Sequence, residues 1–401
     1  MPRNSASVTD RIESIDIFRG LTVVVMVFVN DLSGATGLPW WTYHMPADAN
    51  GMTYVDMVFP AFLFIVGMSI PLAIQRRLAK GCSLGRIWRH ILVRSLSLVA
   101  LGLFLANAEK VDPKWMGDRA LLCTLLAFLG ALVLWSAYPV SPKYKTFYRT
   151  LKYAGLLALV WFAISFRRGT PDGRGAWLDF SYWEILGLIG WAYLAVGTLY
   201  LFLKDHIRLL MASLVALSAL NVLSTMGRFK WIGNATYASP FEPGLSFITM
   251  AGVVASLLLF ETPPTATFKT RLLPTLGYAG ILAIAGFALS PLGISKVRAT
   301  PSWCLYCSAA NILLFLLLRW VVDIKQRTKW AGFAKPAGEN TLLAYMLPYL
   351  VYGLLYVLGA LQSLSANGSY GWVGVLRATL FTSVVLVFCA ILTQWKIRLQ
   401  L

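Results

Sequence analysis

Charge is scarce in this sequence. Only 13% of its 401 residues are charged, and acids are the scarcer sign, with 17 Asp and Glu against 35 Lys and Arg. A soluble globular domain carries about twice that charged fraction, so the composition excludes one. Histidine is rarer still, at three residues. The five cysteines stand at 82, 123, 304, 307 and 389. Cys304 and Cys307 form a lone C-x-x-C pair, and no second pair or nearby His completes a zinc set. A disulfide, a metal role and apolar filling of a helix stay open for this pair. Filling is the favoured reading, and no metal site is expected. No phosphate-binding glycine loop, dinucleotide fingerprint or H-E-x-x-H helix occurs, which leaves nucleotide hydrolysis and zinc proteolysis without support. The net charge is +18, yet no basic run alternates with aromatics on a soluble face, so no nucleic-acid partner is expected.

What is present is apolar length. The chain is 58% hydrophobic, its mean hydropathy is +0.67, and run after run approaches the roughly 20 residues that cross a bilayer. Twelve spans are predicted, at 15–31, 54–75, 87–107, 118–138, 150–166, 182–203, 207–225, 244–260, 271–290, 302–322, 339–358 and 373–394. The fold class is therefore all-α, a polytopic helical membrane bundle read as one domain over 1–401, with no internal repeat. The loop at 167–181 is Gly-rich, polar and expected to be irregular, and a Pro pair in 261–270 breaks the helices around it. The first ten residues, MPRNSASVTD, hold no apolar stretch before a small-residue site, so no cleavable signal peptide is expected. Loops on the side of the N-terminus carry more than twice as many Lys and Arg as the others. By the positive-inside tendency both termini are expected in the cytoplasm, with the surplus cations also touching anionic lipid. On that topology His90 and His206 are cytoplasmic, and His44 is the one outer histidine.

His44 belongs to the most polar stretch of the chain, 11–71. Asn30 and Asp31 close its first apolar segment. The loop that follows holds His44, Asp48, Asn50 and Asp56 without Lys or Arg. Polar groups at membrane depth mark functional sites by default. His44 is a candidate proton-transfer group, or an interfacial residue in an aromatic belt with Trp40, Trp41 and Tyr43. Asn30 is a tautomer-fixing or oxyanion-donating amide, or a cap on its helix end. Asp56 orients His44 or holds a sugar hydroxyl, or is a solvated charge at the start of a helix. Asp16 and Arg19, three apart, pair with each other or reach a ligand. Phe59-Pro60 and Pro71 read as kinks. Arg76, Arg77, Arg86 and Arg89 read mostly as topology anchors, whereas Arg94 lies inside a span and requires a buried partner or an anion.

The motif Ser14-x-Asp16-x-Phe18-Arg19-Gly20, then Val29-Asn30, His44, Asn50-Gly51-x-Thr53 and Asp56-x-x-Phe59-Pro60 with Phe64 and Gly67, resembles the membrane acyltransferases of the heparan-alpha-glucosaminide N-acetyltransferase type. Weaker likenesses follow in Pro240-Phe241-Glu242-Pro243-Gly244, in Ile294-Ser295-Lys296 with Thr300-Pro301-Ser302-Trp303, and in Gly338-Glu339-Asn340-Thr341. The segment from Trp183 to Tyr193 has a form common in bacterial members. The resemblance implies an acetyltransferase in a bacterial inner membrane. It would move acetyl from cytoplasmic acetyl-CoA, as acyl donor, to a sugar amine or hydroxyl on a glycan or amino-sugar acceptor outside. It implies His44 as the catalytic residue with Asn30 as its neighbour. Asp56 joins them as a catalytic candidate, and Asp16, Arg19, Asn50, Lys296 and Asn340, with Arg94 for a polyanionic donor, are the candidate substrate or donor contacts. Membrane lipid is a further partner, and a homodimer stays open. A transporter or flippase of a polar or lipid-linked glycan is the alternative. Twelve spans with kinked helices fit it, while the lack of an inverted repeat speaks against it. A scaffolding subunit of a polysaccharide assembly is a third reading.

Overall fold

The computed structural model describes residues 12–117, 119–138, 143–170, 172–228, 241–261 and 267–399. Pro240 of the weaker motif and the cations Arg3, Arg11 and Lys230 of the topology count lie outside them. A long helix stands at each of the twelve expected positions: α1 (Glu13–Leu32), α2 (Val58–Ala79), α3 (Leu84–Ala108), α4 (Arg119–Trp135), α5 (Lys145–Ser165), α6 (Glu184–Leu203), α7 (Ile207–Thr225), α8 (Pro243–Ser256), α9 (Phe268–Ala288), α10 (Pro301–Arg319), α11 (Thr341–Val357) and α12 (Trp372–Gln394). Among the described residues, nine helices are long and apolar enough to cross a bilayer, which makes the chain an integral membrane protein. The other three differ in kind. Helix α1 carries Glu13, Asp16, Arg19 and Asp31, and α4 and α11 have 17 residues each.

The 167–181 loop departs from expectation. It holds a two-residue antiparallel ladder, β1 (Arg168–Gly169) with β2 (Gly175–Ala176). The turn between them closes through Thr170 N–H on the Arg174 carbonyl at 3.0 Å, with Gly173 at φ +74°. Glycine takes that left-handed conformation without the Cβ clash other residues meet, so the glycines that read as irregular allow a hairpin.

The chain forms two compact units. The first comprises the segment ending at Phe18, Trp41–Val99 and Ile185–Trp330; the second comprises Arg19–Trp40, Ala100–Glu184 and the chain from Ala331.

In the first unit α8 is the core helix, with all 14 of its residues buried. It opens on Pro243, whose missing N–H costs nothing in a first turn. It packs backbone to backbone on α2. A Cβ on Gly67 would meet the Thr249 carbonyl oxygen at 1.9 Å, and one on Gly252 would meet that of Phe64 at 2.2 Å. Membrane helices gain association through such small-residue contacts because lipid supplies no hydrophobic drive. Pro60 falls in the first turn of α2 and Pro71 lies inside the helix. A π-turn, Leu257–Glu261, follows α8, and the Arg271 and Arg319 guanidiniums both donate to the Leu259 carbonyl there. The start of α1 is fastened by Ser14, whose N–H and hydroxyl both donate to Asp323.

In the second unit α4 and α5 approach at Gly130 and Gly155, and Phe128 stacks on Tyr349 at 4.9 Å. Leu32, Ala35, Ala366 and Ala378 form a small buried cluster. The Asp31 carboxylate, 3% exposed, accepts the Tyr352 hydroxyl and the Ala366 N–H.

Candidate active site

Between α1 and α2 the chain cannot fold as a helix. Pro39 and Pro46 interrupt it, and Gly37, Gly51 and several Asn and Asp residues favour turns. Short 3-10 turns at Trp40–Thr42 and Val55–Met57 interrupt the loop, and the second leads into α2. It carries Asp56 inward, where the residue is fully buried. The reading of Asp56 as a solvated helix-start charge is therefore overturned.

A buried carboxylate requires partners, and Asp56 has them from its own loop. Oδ1 lies 2.7 Å from His44 Nδ1. Oδ2 accepts the Met45 N–H at 3.2 Å and the Thr53 N–H at 3.0 Å. The Thr53 hydroxyl donates to the Tyr43 carbonyl at 2.8 Å and sits 3.3 Å from Oδ2. Thr53 thus ties both sides of the loop around Asp56. A carboxylate can only accept, which assigns the imidazole proton to Nδ1 and leaves the lone pair on Nε2. The His44 side chain is 42% exposed, so a substrate can reach it.

A third group arrives from far along the chain. The Lys296 ammonium lies 3.2 Å from His44 Nδ1 and 3.3 Å from Nε2. Being nearly equidistant from the two nitrogens, it lies across the ring rather than along either lone pair. Its loop is held in place by the candidate Asn50, whose side-chain oxygen accepts the Ile294 N–H at 2.7 Å, while the Gly51 N–H donates to the Ile294 carbonyl at 2.9 Å. Ser295 and Thr300 close the same loop, with Ser295 N–H on the Thr300 hydroxyl and Thr300 N–H on the Ser295 carbonyl. Burial pushes Lys296 below the usual lysine range, and the Asp56 carboxylate acts in the opposite direction.

The structure brings together His44, Asp56, Lys296 and Asn50. The remaining candidates are not among these contacts. Arg94 is exposed on α3 of the first unit, its guanidinium 5.2 Å from the Tyr193 ring centre. The partner it required is an aromatic face. Asp16 is half-buried on α1. Arg19, Asn30 and Asn340 belong to the second unit. Asn30 is exposed, with its backbone carbonyl taking the Ser33 hydroxyl. The Asn340 amide is engaged with the end of the chain, donating to the Ile397 carbonyl and the Thr393 hydroxyl and accepting the Leu399 N–H. Cys304 and Cys307 are buried free thiols on α10. Thr53 stands in the sequence motif with no role legible from composition. The Thr-x-x-Asp spacing, in which a threonine and a following carboxylate share a turn, was the available signal.

The comparisons with known proteins fall on this same stretch. A family model described as a domain of unknown function (DUF5009) matches residues 11–171, under half of the chain. Human heparan-alpha-glucosaminide N-acetyltransferase is 39% identical over 120 residues, covering 30% of this chain and 17% of the human protein. The mouse protein of the same name is 35% identical over 129 residues, covering 32% and 19%. The chain spans under a fifth of the length of these curated relatives. Within that limit, the chain resembles the heparan-alpha-glucosaminide N-acetyltransferase-like membrane acyltransferases.

Proposed function

We propose that this protein is a transmembrane acetyltransferase, with His44 as general base, acetyl-CoA as donor and a sugar amine or hydroxyl as acceptor. The observation that carries the reading is the 2.7 Å contact of His44 Nδ1 with the buried Asp56 carboxylate, in a stretch resembling enzymes named for acetyl transfer to glucosamine. In this reading all twelve helices span a bacterial inner membrane and both termini are cytoplasmic. The donor enters from the cytoplasm and the acceptor from outside.

The chemistry follows from the tautomer. Nε2 takes the proton of the acceptor amine or hydroxyl as its nitrogen or oxygen attacks the acetyl carbonyl. Asp56 stabilises the imidazolium so formed. Lys296 places a positive charge beside the carbonyl oxygen as it becomes negative. The C–S bond then breaks, and the leaving thiolate takes the proton from Nε2. Transfer is direct, because an acetyl-imidazole on a 42% exposed His44 would be open to hydrolysis.

The test uses protein purified in detergent, with acetyl-CoA and glucosamine as probes. Wild-type protein is expected to form N-acetylglucosamine, and His44→Ala is expected to lose this activity while keeping its thermal transition. Unimpaired transfer by the variant would overturn the assignment of the base.

A further inference from the structure

Where α2 ends and α3 begins, the chain gathers cations around a histidine that the reaction above does not use. Arg77 Nη2 lies 2.7 Å from His90 Nε2. A guanidinium only donates, so Nε2 accepts, Nδ1 carries the proton, and His90 is neutral. Arg86, His90 and Arg94 are spaced four apart on α3 and share one face of it. They extend over about 12 Å of helix, with Arg94 against the Tyr193 ring. The packed neighbours offer no opposing charge. No Asp or Glu occurs between Asp56 and Glu109. Helix α6, which meets α3 at Gly190 and Gly197, carries the hydroxyls of Tyr193 and Tyr200, the latter accepting Gln75; its one carboxylate, Glu184, stands in its first turn and takes the Tyr345 hydroxyl. Among the described residues, no carboxylate pairs with Arg77, His90 or Arg94.

Topology anchoring accounts for cations that reach out to water and lipid headgroups. It does not account for an arginine spent on a neutral imidazole. Arg94, exposed and resting on Tyr193, leaves the N–H edge of its guanidinium open beside that pair. A guanidinium on an imidazole, with a second guanidinium one turn further along the same helix face, does suit an anion with several oxygens. A phosphate here would take the N–H groups of Arg77 and Arg94. Its negative charge would also reverse the balance that keeps His90 neutral.

We infer that Arg77, His90 and Arg94 form a binding site for a phosphate group, and that His90 takes up a proton from solvent at Nε2 when the site fills. On filling, Arg77 releases Nε2 and turns to the phosphate, and the new Nε2–H donates to a second phosphate oxygen. The phosphate comes either from the nucleotide end of the acyl donor or from an anionic lipid headgroup. The first source rests on the acetyltransferase reading and the second does not.

The experiment is isothermal titration of the purified protein at pH 7 in two buffers of different ionisation enthalpy, with coenzyme A and with short-chain phosphatidylglycerol as titrants and phosphatidylcholine as control. Wild-type protein is expected to take up protons with one of the two phosphate probes. His90→Gln, which can still accept from Arg77 but cannot be charged, is expected to bind without uptake. Arg94→Gln is expected to weaken binding on the order of tenfold. Uptake with coenzyme A identifies the donor as the source. Uptake with phosphatidylglycerol alone keeps the site and removes it from the donor path. Binding of both probes with the same proton count in wild type and His90→Gln, or binding of neither, overturns the inference. Acetyl transfer by a wild-type protein that shows no His90-dependent uptake would overturn it while leaving the proposed function standing.

Discussion

The imidazole of His44 and the carboxylate of Asp56 are 2.7 Å apart, one half-open to solvent and the other sealed from it. That asymmetry lets Asp56 hold the ring in one tautomer while Nε2 stays reachable. Asp56→Asn keeps the shape but offers Nδ1 a weaker partner. It is expected to lower kcat by about 10² or more with a small change in KM. Asp56→Ala also leaves the Met45 and Thr53 N–H groups without their acceptor, at about 1–3 kcal/mol for each buried donor. A lower Tm for the alanine variant than for the asparagine variant, read by scanning fluorimetry, checks both statements.

In the proposed reaction Lys296 is expected to set an alkaline limit. Burial lowers its pKa below the ordinary 10.5, so the folded protein loses this charge at a lower pH than the unfolded chain does. Between those two values the unfolded chain binds more protons, and this group makes the folded state gain stability as pH rises. Activity moves the other way, since the charge beside His44 is lost. The kcat profile is expected to fall at a pH below 10.5, and Lys296→Arg is expected to shift that fall upward. An unshifted limb in the arginine variant would count against Lys296 as its source.

Glu242, just ahead of α8, is buried and its pKa is raised to about 8 by that burial, against an ordinary 4.5. The folded state therefore holds a proton that the unfolded chain releases. The stabilisation is full below about 4.5 and is lost as pH rises through about 8. Its size is on the order of 5 kcal/mol. Wild-type Tm is expected to decline from pH 5 to pH 9 (about the span of the two values), and Glu242→Gln is expected to flatten the decline.

The contact of α2 with α8 leaves no room for a side chain at Gly67 or Gly252. Gly252→Val is expected to abolish a monodisperse peak in detergent chromatography. Gly280→Ala, where a Cβ would meet nothing within 4 Å, is expected to leave the peak unchanged or to raise Tm slightly.

The sequence by itself determined the positions of the twelve helices, because a lipid-facing backbone must bond within its own segment and its side chains must be apolar. Both signals are local and can be read residue by residue. It also marked out His44 and Asp56, which lie 12 residues apart in one loop and reach each other through that loop's own turns. Tertiary structure alone decided which distant groups join them. Lys296 stands 252 residues from His44, and only the Asn50 contact with Ile294 brings its loop across. Composition could not show that His90, set aside as a cytoplasmic histidine, accepts from Arg77, or that Arg94 rests on Tyr193 rather than on a carboxylate. Nor could it show that Asn340 is occupied by the last turn of the chain. Helix periodicity states which residues share a face, but it says nothing of what that face meets. The partner is set by how helices far apart in sequence pack, and in this protein by the close approach that glycines such as Gly67 and Gly252 permit.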